Sequence, residues 1–268
     1  MKMAKFNYYD RIAQNYDQTR WLTKPIAEEV ADFMVNLVEA DPDTSFLEAG
    51  VGTGVNVFPL VKRGYAVTGI DVSQEMLNQF RQKLPEVPSN LNLICTDASQ
   101  LDFPDRSFDV VLTVHMIHTV ADWQRFLDEI TRVLKPNGFY LNAQCITPPT
   151  RLEFENYFRK ILAKYEAKNS QPEPKPIAKI NIDIDQYFLN KSYQSNYLIA
   201  KEWKVSNTVR ELLSFFKLRA YGFCWRVSEE IFEQAIAEFK NFCIKQYGSL
   251  DTELSSNAKF EIWAYRKI

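Results

Sequence analysis

The stretch Glu48-Ala49-Gly50-Val51-Gly52-Thr53-Gly54 puts three of the chain's eight glycines directly behind an acid. Glycine permits tight turns and lets a ligand approach the peptide groups that a side chain would shield. The G-x-G-x-x-G spacing that cradles a pyrophosphate would need glycine at position 55, which is Val55. A carboxylate beside the loop would also repel a phosphate, whereas it favours a cation. The pattern acid-x-G-x-G-x-G therefore suits a positively charged ligand. Two further acids follow at the ends of apolar runs. Asp71, 21 residues after Gly50, is placed to accept both hydroxyls of a ribose, and Asp97 lies where the edge of an adenine would be read. Taken singly, Asp71 or Asp97 could equally cap the helix that follows it. Three acids at the tips of successive strands converge on the crevice where α/β sheets bind ligands.

The elements that must position these residues are legible as alternating strands and helices. Residues 21–38 carry apolar residues at helical spacing (Ile26, Val30, Phe33, Met34, Leu37, Val38), after an aromatic and polar preamble. Short apolar runs at 45–49, 65–71, 91–95, 108–114 and 139–143 read as five strands, the first running into the glycines. Ser73 caps a helix through Leu84, and Trp123 to Leu134 is amphipathic, stopped by Pro136-Asn137-Gly138. This alternation predicts parallel βαβ units. Beyond Thr150 the pattern changes to an amphipathic helix (151–168) and a proline-alternating linker, Gln171 to Pro176. We expect residues 150–195 to be an inserted cap. The core is then 1–149 plus 196–268, closing with a strand at 196–205, helices at 208–216 and 228–247, and a final strand at 259–266.

These residues resemble the class I, Rossmann-like S-adenosylmethionine-dependent methyltransferases, in particular their small-molecule branch. The resemblance runs from Tyr9 to about Leu141. It is carried by Glu48 to Gly54, by Ile70-Asp71-Val72-Ser73-Gln74-Glu75-Met76-Leu77, by Asp97-Ala98 before Leu101-Phe103-Pro104, and by Phe108-Asp109 leading to Leu134-Lys135-Pro136-Asn137-Gly138. S-adenosylmethionine carries an ammonium and a sulfonium and no phosphate, which agrees with the charge at Glu48. The family more often has aspartate at that position, so Glu48 is a conservative departure.

The resemblance implies an α/β sheet of seven strands in the order 3-2-1-4-5-7-6 with the last strand antiparallel, an inserted helical cap, and amino-terminal lid helices. It implies that Gly50 and Gly52 line the methionine portion of the cofactor, Asp71 the ribose, Val72 and Met76 the adenine face, and Asp97 with Ala98 the adenine edge. Val114 would line the site from the end of the fourth strand. Tyr16 and Arg20 match an amino-terminal Y-D-x-x-R segment that folds over the cofactor, and S-adenosylhomocysteine is the expected product.

A sulfonium methyl is already a reactive electrophile, so the protein has mainly to hold a nucleophile about 3 Å from it, in line with the leaving sulfur. A base that takes the acceptor's proton would add about 10²–10⁴-fold. The chain's two histidines, His115 and His118, both follow the fourth strand, at the expected active-site mouth. His118 matches a position where small-molecule members often carry histidine, and either ring is a candidate base or substrate contact. The Asp/Asn-Pro-Pro-aromatic motif of nucleobase and amide methylation is absent after that strand, as is the double-glutamate loop of protein arginine methylation. Aromatics crowd the stretch from Tyr187 to Trp225. They read as core packing or as the wall of an apolar acceptor site, with Arg219 or Arg226 available to hold an acid.

Composition narrows the class further. Lys+Arg number 32 against 34 Asp+Glu, without the basic excess of a nucleic-acid binder. The four cysteines have neither paired spacing nor nearby histidines, so no metal site is expected and the thiols read as buried in a reducing compartment. No signal peptide or run of about 18 apolar residues occurs. The expectation is a cytoplasmic enzyme, monomer or homodimer, methylating a small molecule without membrane or nucleic-acid partners. The alternatives are a non-catalytic S-adenosylmethionine-binding protein and a nucleic-acid methyltransferase.

Overall fold

Alternation along the first strand sets the frame: Leu47 and Ala49 enter one apolar core with Val111, Phe126 and Tyr140, while Glu48 lies between them in sequence and so faces the other way. The computed structural model describes residues 9–168, 183–225 and 227–267. Its strands are β1 (Ser45–Ala49), β2 (Ala66–Asp71), β3 (Leu91–Cys95), β4 (Phe108–Val114), β5 (Leu134–Ile146), β6 (Tyr193–Thr208) and β7 (Glu253–Lys267). They form one sheet in the order β3-β2-β1-β4-β5-β7-β6. The first five strands pair in parallel and β7 runs antiparallel to β5, as the resemblance implies. Strand order reverses at β1, and the carboxyl ends of β1 and β4 therefore open the crevice in which such sheets bind ligands.

The helices are α1 (Lys24–Leu37), α2 (Phe58–Lys62), α3 (Gln74–Gln82), α4 (Trp123–Val133), α5 (Pro149–Lys168), α6 (Ile184–Leu189), α7 (Val209–Lys217) and α8 (Glu229–Tyr247). Their starts follow from capping. The side chain of Ser73 accepts the Met76 N–H, Asp122 accepts that of Arg125, and Thr208 forms a full capping box with Glu211. No helix among the described residues is long and apolar enough to cross a membrane.

Three boundaries differ from the sequence reading. The helix before Pro136 ends at Val133, and β5 begins at Leu134 rather than 139, because Leu134 pairs with Phe108 before the register slips between Phe108 and Val110. Strand β6 starts three residues before Asn196, and β7 starts at Glu253 rather than 259, its added half alternating between exposed and half-buried residues. The chain forms two compact units. One unit comprises Met1–Ile146, Ile182–Lys201 and Lys259–Ile268; the other comprises Thr147–Asn181 and Glu202–Ala258.

The second unit has its own core, in which Phe154 and Phe158 of α5 meet Phe216 of α7 and Phe232 and Phe239 of α8. Thus α7 and α8 spend their apolar faces on α5. The aromatic stretch is divided accordingly. Phe188 stacks on Tyr265 and packs tilted against Tyr140 in the first unit, and Phe216 and Phe223 pack in the second, so much of it is core. Arg219 lies over Phe232 and pairs with Glu229 at 3.0 Å. The proline linker and Arg226 lie outside the described residues.

Candidate functional site

The glycine loop is built by backbone turns that need its glycines. Gly50, Gly52 and Gly54 have φ of 79°, 54° and 77°, all left-handed. The N–H groups of Gly50 and Val51 both donate to the Ile70 carbonyl, at 2.8 and 2.9 Å, tying the loop to β2. A Cβ at Gly54 would lie 2.3 Å from the Phe80 ring, and one at Gly50 would lie 3.0 Å from Met116 Sδ. Gly52 differs: nothing stands within 4 Å of the place its Cβ would take. Open space beside the middle glycine is where a ligand can meet bare backbone.

The three acids occupy the tips of neighbouring strands. Glu48 is fully buried next to the end of β1, and Asn56 Nδ2 donates to its Oε1 at 2.7 Å. Its other oxygen, Oε2, is buried with no hydrogen-bond partner among the described residues. Burial pushes the Glu48 carboxyl up to about 8, opposed by the Asn56 hydrogen bond and reinforced by the charge of Asp71. Asp71 ends β2. Its Oδ2 accepts the Gly52 N–H at 2.8 Å and its Oδ1 the Ser73 N–H at 2.9 Å. Burial raises its pKa, while these bonds from Ser73 and Gly52 lower it.

Asp97 follows β3 by two residues. It is exposed, and its Oδ1 accepts the Ser99 N–H at 2.9 Å in a local turn. Ala98 and Met76 are buried, at 2% and 1% exposure, and Val72 is half-buried with its carbonyl beside Cys95. Cys95 pairs with Asp71 across β2 and β3, so the second and third acids share one edge.

The amino-terminal segment is fastened to this loop through Asp10, Asp17 and Lys83. Thr53 Oγ1 donates to Asp17 Oδ1 at 2.5 Å, and Lys83 pairs with Asp17 while donating to the Thr53 carbonyl at 2.7 Å. Ser73 Oγ donates to Asp10 Oδ1 at 2.5 Å. Between these fastenings the Arg20 guanidinium lies 4.0 Å from the centre of the Tyr16 ring, and Arg20 Nε is buried without a hydrogen-bond partner among the described residues. Burial, then the charges of Tyr16 and Asp71, raise the Tyr9 hydroxyl pKa, which brings Tyr9 into the same neighbourhood. The signal for Asp17 was its place inside Tyr16-Asp17-Gln18-Thr19-Arg20; Asn56 and Lys83 gave none.

After β4, Val114 pairs with Ala143, and His115 takes a left-handed φ of 54°. The His115 Nε2 lies 3.0 Å from both the N–H and the carbonyl oxygen of Cys145, and the His115 backbone N–H donates to the Ala143 carbonyl at 3.1 Å. Crowding by protein and the nearby Arg20 charge lower its ring pKa to about 4, so at neutral pH it is uncharged and its Nε2 is engaged. His118 stands exposed in the short turn Ile117–Thr119. At the opposite end of β4, Asp109 Oδ2 accepts from the Ser45 N–H and hydroxyl and from Lys135 Nζ, at 2.9, 2.7 and 2.7 Å. That cluster joins β1, β4 and β5 and gives the Phe108-Asp109 and Leu134-to-Gly138 motifs a structural purpose. Two open depressions of about 440 and 580 Å³ flank Arg132 on α4. Their lining includes neither the glycine loop nor the three acids, and they are not the candidate site.

Strand order, a left-handed glycine loop after β1, and acids at the next two strand tips define a Rossmann-like α/β architecture with a ligand crevice at the carboxyl edge of its sheet. Residues 47–142 match the family described as "Methyltransferase domain". The chain is 34% identical over 134 residues to a demethylmenaquinone methyltransferase of Tropheryma whipplei, covering 48% of this chain and 54% of that protein. It is 42% identical over 94 residues to a phosphatidylethanolamine N-methyltransferase of Cereibacter sphaeroides, covering 34% and 46%. The chain thus spans about half the length of these curated relatives. The crystal structure of the YcgJ protein from Bacillus subtilis shares the fold, with a TM-score of 0.52 at 16% identity over 89% of this chain and 97% of that one.

Proposed function

We propose that this protein binds S-adenosylmethionine in the crevice at the carboxyl ends of β1, β2 and β4 and transfers its methyl group to a small-molecule acceptor in the cytoplasm. The observation that carries this reading is the buried, partnerless Oε2 of Glu48 beside three left-handed glycines. A dry carboxyl oxygen next to bare backbone fits an ammonium-bearing ligand and disfavours a phosphate.

The residues take roles in sequence around that crevice. Glu48, Gly50 and Gly52 hold the amino-acid end. Asp71 accepts the ribose hydroxyls through the lone pairs left free by Gly52 and Ser73. Val72, Met76, Asp97 and Ala98 enclose the adenine, and Val114 lines the floor. Tyr16 and Arg20 close over the carboxylate, to which the buried Arg20 Nε offers a donor. The bound sulfonium supplies a methyl that needs no further activation, so the chain's work is to bind, orient and exclude water.

His118, exposed on the turn after β4, takes the acceptor's proton. His115 shapes the turn, since its Nε2 is already engaged by Cys145. The acceptor is a metabolite rather than a nucleic acid, in keeping with a formal net charge of −2. Four free cysteines agree with a reducing compartment.

The test is to incubate the purified protein with methyl-labelled S-adenosylmethionine and fractionated metabolites, including quinone and phospholipid-amine acceptors of the kinds for which the relatives are named. The expected outcome is label in a small organic product. Tight cofactor binding with no transfer to any fraction would favour a binding module, and label recovered in RNA or DNA would favour a nucleic-acid enzyme.

A further inference from the structure

Asn56 stands outside the acid-and-glycine pattern, yet it is buried to 8% exposure just before α2. Its amide Nδ2 donates to Glu48 Oε1 at 2.7 Å. A buried amide is a fixed donor, so it decides which of the two carboxyl oxygens is occupied from within the protein. The other oxygen, Oε2, is left dry and without a partner among the described residues. Among the described residues, the groups that act on Glu48 are Asn56, after the loop, and Asp71, at the end of β2; neither is a cation. Among these residues the buried carboxyl therefore lacks the counter-charge that would let it ionise.

We propose that Asn56 is a positioning residue for the amino-acid end of the cofactor: by holding Oε1 of Glu48, it presents Oε2 as the acceptor for the cofactor's ammonium group. This rests on the cofactor reading above and adds a residue and a proton to it. Because Glu48 is pushed up to about 8, its carboxyl is mainly protonated at neutral pH. An ammonium arriving at Oε2 displaces that proton to solvent, leaving a carboxylate paired with an ammonium, and charge balances. The Asn56 hydrogen bond favours the ionised form and makes the displacement easier.

Two nucleosides separate this role from mere support of the fold. S-adenosylhomocysteine keeps the ammonium, whereas 5′-methylthioadenosine has the same adenosine and thioether without the amino-acid end. Calorimetry of the wild type in buffers of different ionisation enthalpy at pH 7 should show release of a large fraction of a proton with the first and none with the second. Asn56→Ala should weaken the first by about 10-fold, the loss of one hydrogen bond to a charged group. It should leave the second within about twofold and move the rise of affinity with pH to higher pH. Equal proton counts for the two ligands in the wild type would overturn the proposal without needing any variant. So would a parallel loss of both affinities in a folded Asn56→Ala protein, or no loss of either. A wild type that binds neither nucleoside would remove the cofactor reading itself.

Discussion

The Asp71 carboxylate accepts the Gly52 backbone N–H at 2.8 Å, so the acid that ends β2 and the open glycine of the loop after β1 form one structure. Asp71 thus shapes the loop as well as serving the proposed ribose site, and the two duties can be separated by substitution. Asp71→Ala removes both and should weaken S-adenosylhomocysteine by roughly 10- to 100-fold, the range expected for charged hydrogen bonds. Asp71→Asn keeps one acceptor oxygen, enough for either the Gly52 or the Ser73 N–H, and should lose less. Isothermal calorimetry checks the order, and normal binding by the alanine variant would refute the map of the ribose site.

The pH dependence of stability provides a second test, through Glu48. Its carboxyl lies at 4.5 ordinarily and at about 8 in the folded protein, chiefly through burial. A raised folded value means the native state binds the proton more tightly than the unfolded chain. The stabilisation is therefore complete below 4.5 and is lost as pH rises through about 8. The melting temperature of the ligand-free protein should fall across that window, and Glu48→Gln, permanently neutral, should flatten the decline. A slope unchanged by Glu48→Gln would place the responsible group elsewhere.

Much of this site was legible before any coordinates, because it is local. A glycine that needs positive φ, or an acid that ends an apolar run, writes its role into a few adjacent positions, and Glu48, Gly50, Gly52 and Asp71 were read that way. Asn56 and Lys83 were not, since an amide or an amine in a turn beside a helix end carries no mark of the partner it will meet; each acts across the loop, on Glu48 and on Asp17 with Thr53. The strand order was legible through motif order. The packing of the later helices was not, because periodicity shows that α7 and α8 have apolar faces without showing that these faces go to Phe154 and Phe158 on α5. Strand β7 was read short for a related reason: its first half lies half-exposed and alternates weakly, so tertiary pairing sets its start.

The packing of Gly54 makes a third prediction, independent of any ligand. At φ 77° and with the Phe80 ring 2.3 Å from the site of a Cβ, alanine meets both backbone strain and a clash. Gly54→Ala should cost about 2–4 kcal/mol in urea unfolding, an overpacking term added to a left-handed penalty. In a Phe80→Leu background the same substitution should cost about 1 kcal/mol less, as the two positions share the space. Strict additivity in that double-mutant cycle would mean the ring is not what excludes the methyl group.

The two histidines separate by turnover, and His115 also by its own titration. His115 is lowered from 6.5 to about 4 by its crowded setting and by Arg20. A depressed folded value contributes stability that is present above 6.5 and is lost as pH falls through about 4. Its ring resonances should therefore titrate near 4 by NMR, and His115→Gln should make the protein less sensitive to acid while leaving kcat close to wild type. His118→Gln should instead lower kcat by about 10²-fold if it removes the base, with S-adenosylhomocysteine affinity unchanged. The assay is turnover with the labelled acceptor found in the metabolite screen. A folded His115→Gln protein with collapsed kcat and a fully active His118→Gln protein would exchange the two roles, and would require the Cys145 hydrogen bond to His115 Nε2 to open during the reaction.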